Sequence, residues 1–332
     1  MSTKIGMIDY YLPKKTVSNK DIENEFGDWS AEKIEEKTGI RNRHVVQNDE
    51  TSLDLAFKAA TKVLKEYQKE KIDFLLLCTQ SPDYFLPTSA CILQDKLGLR
   101  TDIGALDFNL GCSGFVYGLA LAKGLIESKA ANSVLLLTAE TYTKMIHPKD
   151  RANRTIFGDG AAATVIERSE EEQIYQFVLG TDGQGYKNLI VPNGAFRTRF
   201  DPHAVEKSDD NGNTRTENNL FMNGPEIFNF TNESVPKVVA SIFEKNRTNL
   251  ESVDYVIFHQ ANKFMIEYLR KKIKIPASKF YIDMKETGNT VSATIPIALK
   301  KCLMQGIIKP GDRVLLVGFG VGYSWGGTII RI

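Results

Sequence analysis

Short apolar runs rich in β-branched residues and leucine alternate with helical patterns along most of the chain, and this alternation limits the possible folds most strongly. Strands are predicted at residues 74–78, 134–138, 161–166, 253–258 and 314–317. Helices are predicted at residues 52–69, 114–128, 228–246, 263–272 and 295–305. Strands that are apolar on both faces and separated by helices indicate an α/β fold with a buried sheet.

The two halves of the chain repeat one pattern. KIDFLLLCTQ is followed by GCSGFVYGLALAKGLIESKAANSVLLLT, and SVDYVIFHQAN is followed by GNTVSATIPIALKKCLMQGIIKPGDRVLLVG. The repeat predicts two related α/β halves, residues 1–170 and 171–332. Cys112 and Asn289 then occupy equivalent positions before a helix, and His259 follows a strand. Functional sites of open α/β sheets gather at such strand ends.

Composition excludes several classes of protein. The 332 residues carry 42 basic and 41 acidic side chains, a balance that gives no reason to expect nucleic-acid binding. The first residues, MSTKIGMIDYYLPKK, lack the apolar core of a signal peptide, and no run is long enough to span a membrane. Four separated cysteines and four scattered histidines indicate neither a disulfide framework nor a metal site. We therefore expect a cytoplasmic protein without a metal or other cofactor.

Cys112 is the strongest candidate nucleophile. It stands in GCSGFVYGL, between Gly111 and Gly114 and directly before an apolar helix. The glycines permit a tight turn, and the helix N-terminus favours a thiolate and lowers the thiol pKa. The alternative is a buried structural cysteine, which is our interpretation of Cys78, Cys91 and Cys302.

His259 in VIFHQAN and Asn289 in ETGNTVSATIP are ambiguous when each is taken alone. A histidine after a strand is as often a structural hydrogen-bonding group as a catalyst, and an asparagine in a turn is often a cap. Together with a cysteine they fit one task. The thiol attacks a thioester, while an imidazole N–H and an amide NH₂ stabilise an enolate oxygen.

Three further segments carry weaker signals. The C-terminal GFGVGYSWGG is a poor dinucleotide motif because no βαβ unit follows, and it suits a backbone that approaches a substrate oxygen. Residues 197–219 are polar and without periodicity, which predicts a surface loop or flap. The helix KFMIEYLRKKIK is basic and amphipathic, either a solvated face or a surface for an acidic partner.

Several long motifs, in order, resemble β-ketoacyl-acyl-carrier-protein synthase III. They are EKTGIRNRH, GCSGFVYGL, FGDGAAA, FMNGPEIFNF, HQAN, GNTVSATIP and GFGVGYSWGG, and they cover nearly the whole chain. The resemblance implies the thiolase fold, with duplicated halves in five αβαβα layers, and a homodimer. It implies an acyltransferase of fatty acid biosynthesis that joins an acyl-CoA primer to malonyl-acyl carrier protein by decarboxylative condensation.

The resemblance also implies site roles. Cys112 would carry the acyl group, His259 and Asn289 would hold the enolate, and the backbone N–H groups of Cys112 and Val321 would hold the oxyanion. CoA and phosphopantetheine thioesters enter as substrates, with no metal or nicotinamide.

The chain departs from the family pattern at three places. The usual Trp and Arg near TGI are Lys33 and Lys37, with Trp29 out of register. Lys37, Arg41 and Arg151 are the expected CoA contacts. The Arg usual after HQAN gives way to Lys263-Phe264, and the expected carrier contacts are Lys263, Lys271 and Lys272. Leu86 replaces the bulky aromatic residue that closes the partner's acyl pocket, which favours acyl groups longer than acetyl.

Two alternatives remain open at this point. A specialised relative would condense or transfer acyl groups in the synthesis of a secondary metabolite or a surface glycan. A non-catalytic subunit would pair with an active homologue, although such subunits usually lose the nucleophile or its helpers.

Overall fold

A computed structural model describes residues 2–27 and 29–332. The helices are α1 Asn19–Phe26, α2 Ala31–Thr38, α3 Ser52–Leu64, α4 Ser89–Lys96, α5 Gly114–Glu127, α6 Arg151–Arg154, α7 Gly224–Lys245, α8 Lys263–Ile273 and α9 Thr294–Met304. The strands are β1 Ser2–Tyr11, β2 Thr16–Ser18, β3 Asn42–His44, β4 Phe74–Cys78, β5 Gly104–Phe108, β6 Ser133–Glu140, β7 Gly160–Ser169, β8 Val178–Thr181, β9 Leu189–Ile190, β10 Lys207–Ser208, β11 Thr214–Arg215, β12 Phe221–Met222, β13 Tyr255–Phe258, β14 Arg313–Gly320 and β15 Ser324–Arg331.

Two larger sheets form the frame of the molecule. The five-stranded sheet has the order β1-β7-β6-β4-β5, with β4 parallel to both β5 and β6. The four-stranded sheet has the order β13-β14-β15-β8, with β13 parallel to β14. The apolar runs of β4, β6 and β14 are buried on both faces, as parallel strands between helical layers require.

Alternate residues of each strand face different layers of the sandwich. In the first sheet, Leu75 and Leu77 pack with helix α3 on the outside, whereas Leu76 packs with α5 in the centre. In the second sheet, Leu316 faces the centre and Leu315 faces the outer helices α7 and α8. The order of layers is therefore helix, sheet, helix, sheet, helix. Successive side chains along a strand point to opposite faces of the sheet, so each sheet contributes to two separate hydrophobic cores.

The central layer consists of α5 and α9, which contact both sheets. Phe115 and Leu119 of α5 share one core with Ile295 and Leu299 of α9. These two helices are the ones that follow Cys112 and Asn289, so the packing of the central layer places the starts of both helices near each other.

The predicted helices and strands are found, and their ends differ by a few residues. The largest difference is α3, predicted to reach residue 69 but ending at Leu64. No glycine marks this end. The Tyr67 N–H still donates to the Val63 carbonyl at 3.0 Å, and the Tyr67 hydroxyl contacts Ser133 Oγ and Glu167 Oε2, each at 3.1 Å. These contacts with distant strands accompany the end of the helix, and local sequence cannot reveal them.

The strands of the first sheet end at Ser169 and those of the second begin at Val178. The division into residues 1–170 and 171–332 stays a prediction, because the two halves share the central helical layer. Residues 197–219 form mostly irregular structure with the short pair β10 and β11, as the polar composition of this segment predicts. Among the described residues, no helix is both long and apolar enough to cross a membrane.

The central layer gives a testable prediction for stability. Leu299 is fully buried on α9, and Leu299→Ala should lower the free energy of unfolding by about 2–5 kcal/mol because it leaves a cavity. Met304 lies on the same helix with 68% of its surface exposed, and Met304→Ala should change that free energy by no more than about 0.5 kcal/mol. Urea unfolding followed by circular dichroism measures both, and equal losses would contradict the layer assignment.

Candidate active site

Cys112, His259 and Asn289 line one cavity of about 130 Å³ that opens to solvent. They come from three separate segments: the turn before α5, the end of β13 and the turn before α9. The side chains that complete the wall are mainly apolar: Ile156, Phe157, Leu189, Met222, Ile227, Ala261, Met265 and Phe319. The structure thus brings together the three residues that the sequence singled out.

Glycines hold Cys112 against the backbone of β14. A Cβ atom at Gly320 would lie 2.7 Å from Cys112 Cβ and 2.8 Å from its Sγ, and a Cβ at Gly318 would lie 2.8 Å from the Cys112 carbonyl oxygen. On the other side, a Cβ at Gly114 would lie 2.3 Å from Cys78 Sγ. Only glycine fits at these positions. The glycines of the GCSG turn and of the GFG segment of β14 therefore let the two segments pack directly against each other.

The Cys112 thiol is only 6% exposed, and burial raises its pKa to about 12. The Glu140 carboxylate contributes to this rise in pKa, while the backbone N–H groups of Cys112 and Val321 contact the sulfur and offset part of it. The predicted low pKa of the Cys112 thiol is therefore wrong, because burial raises this pKa more than the helix N-terminus can lower it. The thiol carries its proton at neutral pH.

The N–H groups of both Cys112 and Val321 contact the sulfur. They lie on the turn before α5 and on the turn between β14 and β15. Two backbone N–H groups beside the sulfur can donate hydrogen bonds to the negative oxygen of a tetrahedral intermediate. The assignment of Cys112 and Val321 as the oxyanion pair remains a prediction that this geometry supports.

His259 is 2% exposed, and burial lowers the pKa of its imidazole to about 3. Its Nδ1 lies 2.7 Å from Thr294 Oγ1, and the same hydroxyl lies 3.0 Å from the Val291 carbonyl oxygen. The hydroxyl has one proton for these two neighbours. When it donates to Nδ1, the imidazole N–H is at Nε2, the tautomer that can donate to a substrate oxygen.

Asn289 is fixed by its backbone and by its side-chain oxygen. Its N–H donates to the Ile156 carbonyl at 2.9 Å, its carbonyl accepts from Gly158 N–H at 3.0 Å, and its Oδ1 accepts from Val291 N–H at 2.9 Å. The hydrogen bond at Oδ1 fixes the orientation of the amide, so its NH₂ group is left to donate to a substrate oxygen. Val291 has φ +55°, an unusual backbone conformation for a β-branched residue, and such strain is often found at functional sites.

The expected CoA contacts separate into two places. Lys37 Nζ lies 5.6 Å from the centre of the Trp29 ring, and the Arg151 guanidinium lies 5.7 Å from the same ring. Arg151 also donates to the carbonyl of Asn211 in the 197–219 loop. Arg41 instead pairs with Glu286 at 2.5 Å. Trp29, out of register in the sequence, lies next to both Lys37 and Arg151, so only the fold reveals its place.

The expected carrier contacts lie along α8. Lys263 is exposed at the start of this helix, close to Gly39, and Lys271 is exposed near its end. Lys272 Nζ donates to Asn232 Oδ1 at 2.6 Å and to the Asn232 carbonyl at 2.9 Å, so this amine also ties α8 to α7. Beside the lysines, Phe264 and Tyr268 are exposed and contact the Phe228 ring.

Leu86 is 81% exposed and lies outside the cavity lining of its own protomer in the described part of the chain. Tyr84, Phe85, Phe196 and Phe200 are also exposed, and the rings of Phe85 and Phe196 lie 5.2 Å apart. The role of Leu86 in an acyl pocket stays a prediction that requires a second protomer.

Residues 2–27 and 29–332 contain no group of three His, Cys, Asp or Glu side chains arranged to hold a metal. The prediction that no metal takes part stays a prediction. Two residues beside the site were not predicted from the sequence. Thr294 contacts His259, and Glu140 lies fully buried near Cys112. The apolar run before Glu140 in VLLLTAE is a local signal for this carboxyl, because β6 is buried along its whole length and Glu140 continues it.

Two family models match the chain. The model described as 3-oxoacyl-(acyl-carrier-protein) synthase III covers residues 106–183, and the model of its C-terminal part covers residues 243–332. A β-ketoacyl-(acyl-carrier-protein) synthase III of Clostridium perfringens is 38% identical over 97% of each chain. A crystal structure of a 3-oxoacyl-(acyl-carrier-protein) synthase III is 47% identical, with a TM-score of 0.98 and full coverage of both chains. The priming β-ketosynthase of the R1128 polyketide pathway is 26% identical, with a TM-score of 0.87 over 100% of this chain and 96% of that one.

The five layers and the Cys-His-Asn cavity define a condensing enzyme of the thiolase fold. Within that class the chain belongs to the β-ketoacyl-acyl-carrier-protein synthase III family.

The pKa of His259 gives a prediction for pH dependence. Because burial lowers this pKa from 6.5 to about 3, the imidazole should stay uncharged above about pH 5. The unfolded chain takes up the proton near pH 6.5, so this residue removes stability as the pH falls from 6.5 towards 3. Histidine-labelled NMR, with His259→Asn for assignment, measures the titration. A midpoint near 6.5 would show that the ring is hydrated and would contradict the buried geometry.

Proposed function

We propose that the protein condenses an acyl-CoA primer with malonyl-acyl carrier protein, releasing CO₂ and starting fatty acid elongation. The observation that carries the proposal is the single cavity that holds the Cys112 thiol, the His259 imidazole and the Asn289 amide. The N-terminal half, residues 1–170, supplies the nucleophile, and the C-terminal half, residues 171–332, supplies the two neutral donors.

Acylation of Cys112 is the first step. Sγ attacks the thioester carbonyl carbon, and the N–H groups of Cys112 and Val321 hold the oxygen while it carries negative charge. The new Sγ–C bond forms as the C–S bond to CoA breaks, and the thiol proton leaves with the CoA sulfur. Because burial keeps that proton on Cys112 until attack, the leaving thiolate is the natural acceptor.

Decarboxylation and condensation follow on the acyl-enzyme. The bond between the malonyl methylene carbon and its carboxylate breaks, and the electron pair passes into an enolate. His259 Nε2–H and the Asn289 NH₂ donate to the enolate oxygen, and a neutral imidazole does so without protonating it early. The enolate carbon attacks the acyl carbon and forms the new C–C bond, the Sγ–acyl bond then breaks as the tetrahedral oxyanion becomes a ketone, and the released Cys112 thiolate takes up a proton from solvent water.

The surroundings of the cavity fit CoA and an acidic carrier. Trp29 offers an aromatic face for adenine next to the cations Lys37 and Arg151, and Arg41 adds charge further along the surface. Lys263, Lys271 and Lys272 lie on α8, which contributes Met265 to the cavity wall, and they suit the acidic surface of acyl carrier protein.

We further propose that the protein acts in the cytoplasm as a homodimer. The exposed apolar side chains of Tyr84, Phe85, Leu86, Phe196 and Phe200 support a second protomer, since such a patch on a folded chain usually marks an interface. The CoA and carrier thioesters are substrates, and no bound cofactor is required for these steps.

The reaction is tested by intact-protein mass spectrometry with acyl-CoA, followed by addition of malonyl-acyl carrier protein. Wild type should gain the mass of one acyl group and then lose it with release of CO₂. Cys112→Ala should gain none. Asn289→Ala should keep the acyl adduct but lose condensation by roughly 100-fold or more, because one oxyanion donor is missing in the second step only.

No acyl adduct on wild type, or an adduct without release of CO₂, would overturn the proposal. Equal loss of both steps in Asn289→Ala would show that this residue maintains the fold of the cavity rather than the enolate. Glu70→Gln, an exposed change remote from the cavity, is the matched control and should preserve both steps.

A second candidate is a specialised relative that primes another pathway or passes its acyl group to a different acceptor. The similarity to the R1128 priming β-ketosynthase and the altered residues Lys37, Leu86 and Phe264 favour this candidate. A panel of hydroxyl, amine and malonyl-carrier acceptors separates the two. The third possibility, a non-catalytic subunit, is disfavoured because the nucleophile and both donors share an accessible cavity.

Leu86 gives a prediction for chain length. If Leu86 of one protomer closes the acyl pocket of its partner, Leu86→Phe should fill space there and slow acylation by longer acyl-CoAs more than acylation by acetyl-CoA. Competition between acyl-CoAs of graded length measures the ratio. Leu121, another exposed leucine at 46%, provides the control Leu121→Phe, which should leave the ratio unchanged. A uniform effect at every length would contradict the gate.

A further inference from the structure

Glu140 is a buried carboxyl for which the condensation steps have no direct use. It ends strand β6, its side chain has 0% exposure, and it lies close enough to Cys112 for its charge to act on the thiol. A buried carboxyl without a cation beside it is costly, and such groups are usually retained for a specific contact or charge effect.

Its two oxygens connect segments from both halves of the molecule. Oε1 accepts a hydrogen bond from Ser292 Oγ at 2.9 Å, in the turn that also holds Asn289. Oε2 accepts from Gln80 N–H at 3.0 Å and from Ser81 Oγ at 3.4 Å, in the turn after β4. Ser292 packs against the glycine position that starts α5, since a Cβ at Gly114 would lie 3.5 Å from Ser292 Cβ. The carboxyl therefore joins the turn after β4 to the asparagine turn, and the asparagine turn packs through Ser292 against the start of α5, two residues after Cys112.

The titratable groups that face Glu140 are few. They are Asp159 at the start of β7, Cys78 at the end of β4, Cys112 before α5, and Tyr142 after β6. Burial raises the pKa of Glu140 to about 8, and the charge of Asp159 adds to this rise. The group thus changes charge within the range of pH in which enzymes are assayed, and its negative form opposes a thiolate on Cys112.

We propose that Glu140 is a positioning residue whose protonation state controls how readily the Cys112 thiol ionises, while its hydrogen bonds hold the Ser292 turn in place. The proposal rests on the role of Cys112 as nucleophile. With Glu140 protonated, the N–H groups of Cys112 and Val321 still favour a thiolate and no carboxylate charge opposes them. With Glu140 ionised, a second negative charge on sulfur is disfavoured, so the reactivity of the thiol rises less steeply with pH.

The test is the rate at which iodoacetamide alkylates Cys112. Peptide mass spectrometry measures it and resolves Cys91, which is exposed and not buried as its sequence pattern predicted. Glu140→Gln preserves the shape of the side chain and removes the charge. The ratio of the variant rate to the wild-type rate should be about one at pH 6.5, where Glu140 is protonated in wild type. At pH 9 the ratio should be on the order of ten, because the charge of Glu140 in wild type raises the pKa of the Cys112 thiol by about one unit.

A ratio that is the same at both pH values would overturn the proposal, because loss of packing alone changes the rate without a dependence on pH. Alkylation needs neither acyl-CoA nor malonyl carrier, so this result stands apart from the success or failure of the condensation proposal. Glu70→Gln is the matched control, with an expected ratio of one throughout.

A second variant keeps the test decisive if Glu140→Gln does not fold. Ser292→Ala removes a hydrogen-bond donor to the Glu140 carboxylate, so Glu140 should ionise at a higher pH than in wild type. Alkylation at pH 9 should then be faster than in wild type, but by a smaller factor than in Glu140→Gln. Wild type alone should show a slope of log rate against pH that flattens near pH 8. A straight line in wild type, or a ratio independent of pH in Ser292→Ala, would reject the charge effect.

Discussion

The close contact between the backbone of β14 and Cys112 is the constraint on which the active site depends. Gly318 and Gly320 let the second half of the chain approach the cysteine turn to a distance that no side chain would permit. That approach buries the sulfur and brings the Val321 N–H close to it, in addition to the N–H of Cys112 itself. The sulfur has both backbone donors only because the two halves of the molecule are packed against each other.

Burial then determines the electrostatics of the three central groups. It raises the pKa of Cys112, lowers that of His259 and raises that of Glu140, so all three favour their uncharged forms near neutral pH. Neutral donors suit an enolate that must persist long enough to attack. A protonated thiol implies that its proton leaves during attack, and the two N–H groups offset part of the cost. The proposed reaction would therefore use directed dipoles rather than ion pairs.

The residues expected to bind CoA and the carrier have more varied neighbours than the residues at the centre of the cavity. The Trp29 ring lies 5.6 Å from Lys37 Nζ and 5.7 Å from the Arg151 guanidinium, a proximity that the register of the sequence conceals. Arg41 is drawn away to Glu286, and Lys272 is partly committed to Asn232. Residues on exposed helices form such contacts with whichever element lies nearest. A family pattern therefore predicts their roles less well than it predicts the roles of the buried central residues.

The sequence alone determined the fold class, the positions of the main helices and strands and the identity of the three central residues. Apolar periodicity, the glycine setting of Cys112 and the order of long motifs are local signals, and burial of the strands preserves them. Only the tertiary structure decided where α3 ends, which cations lie beside Trp29, and the presence of Glu140 and Thr294 beside the site. It also reversed the expected pKa of Cys112. These features depend on which distant groups surround a side chain and how much water they exclude, and neither quantity is written in the neighbouring residues.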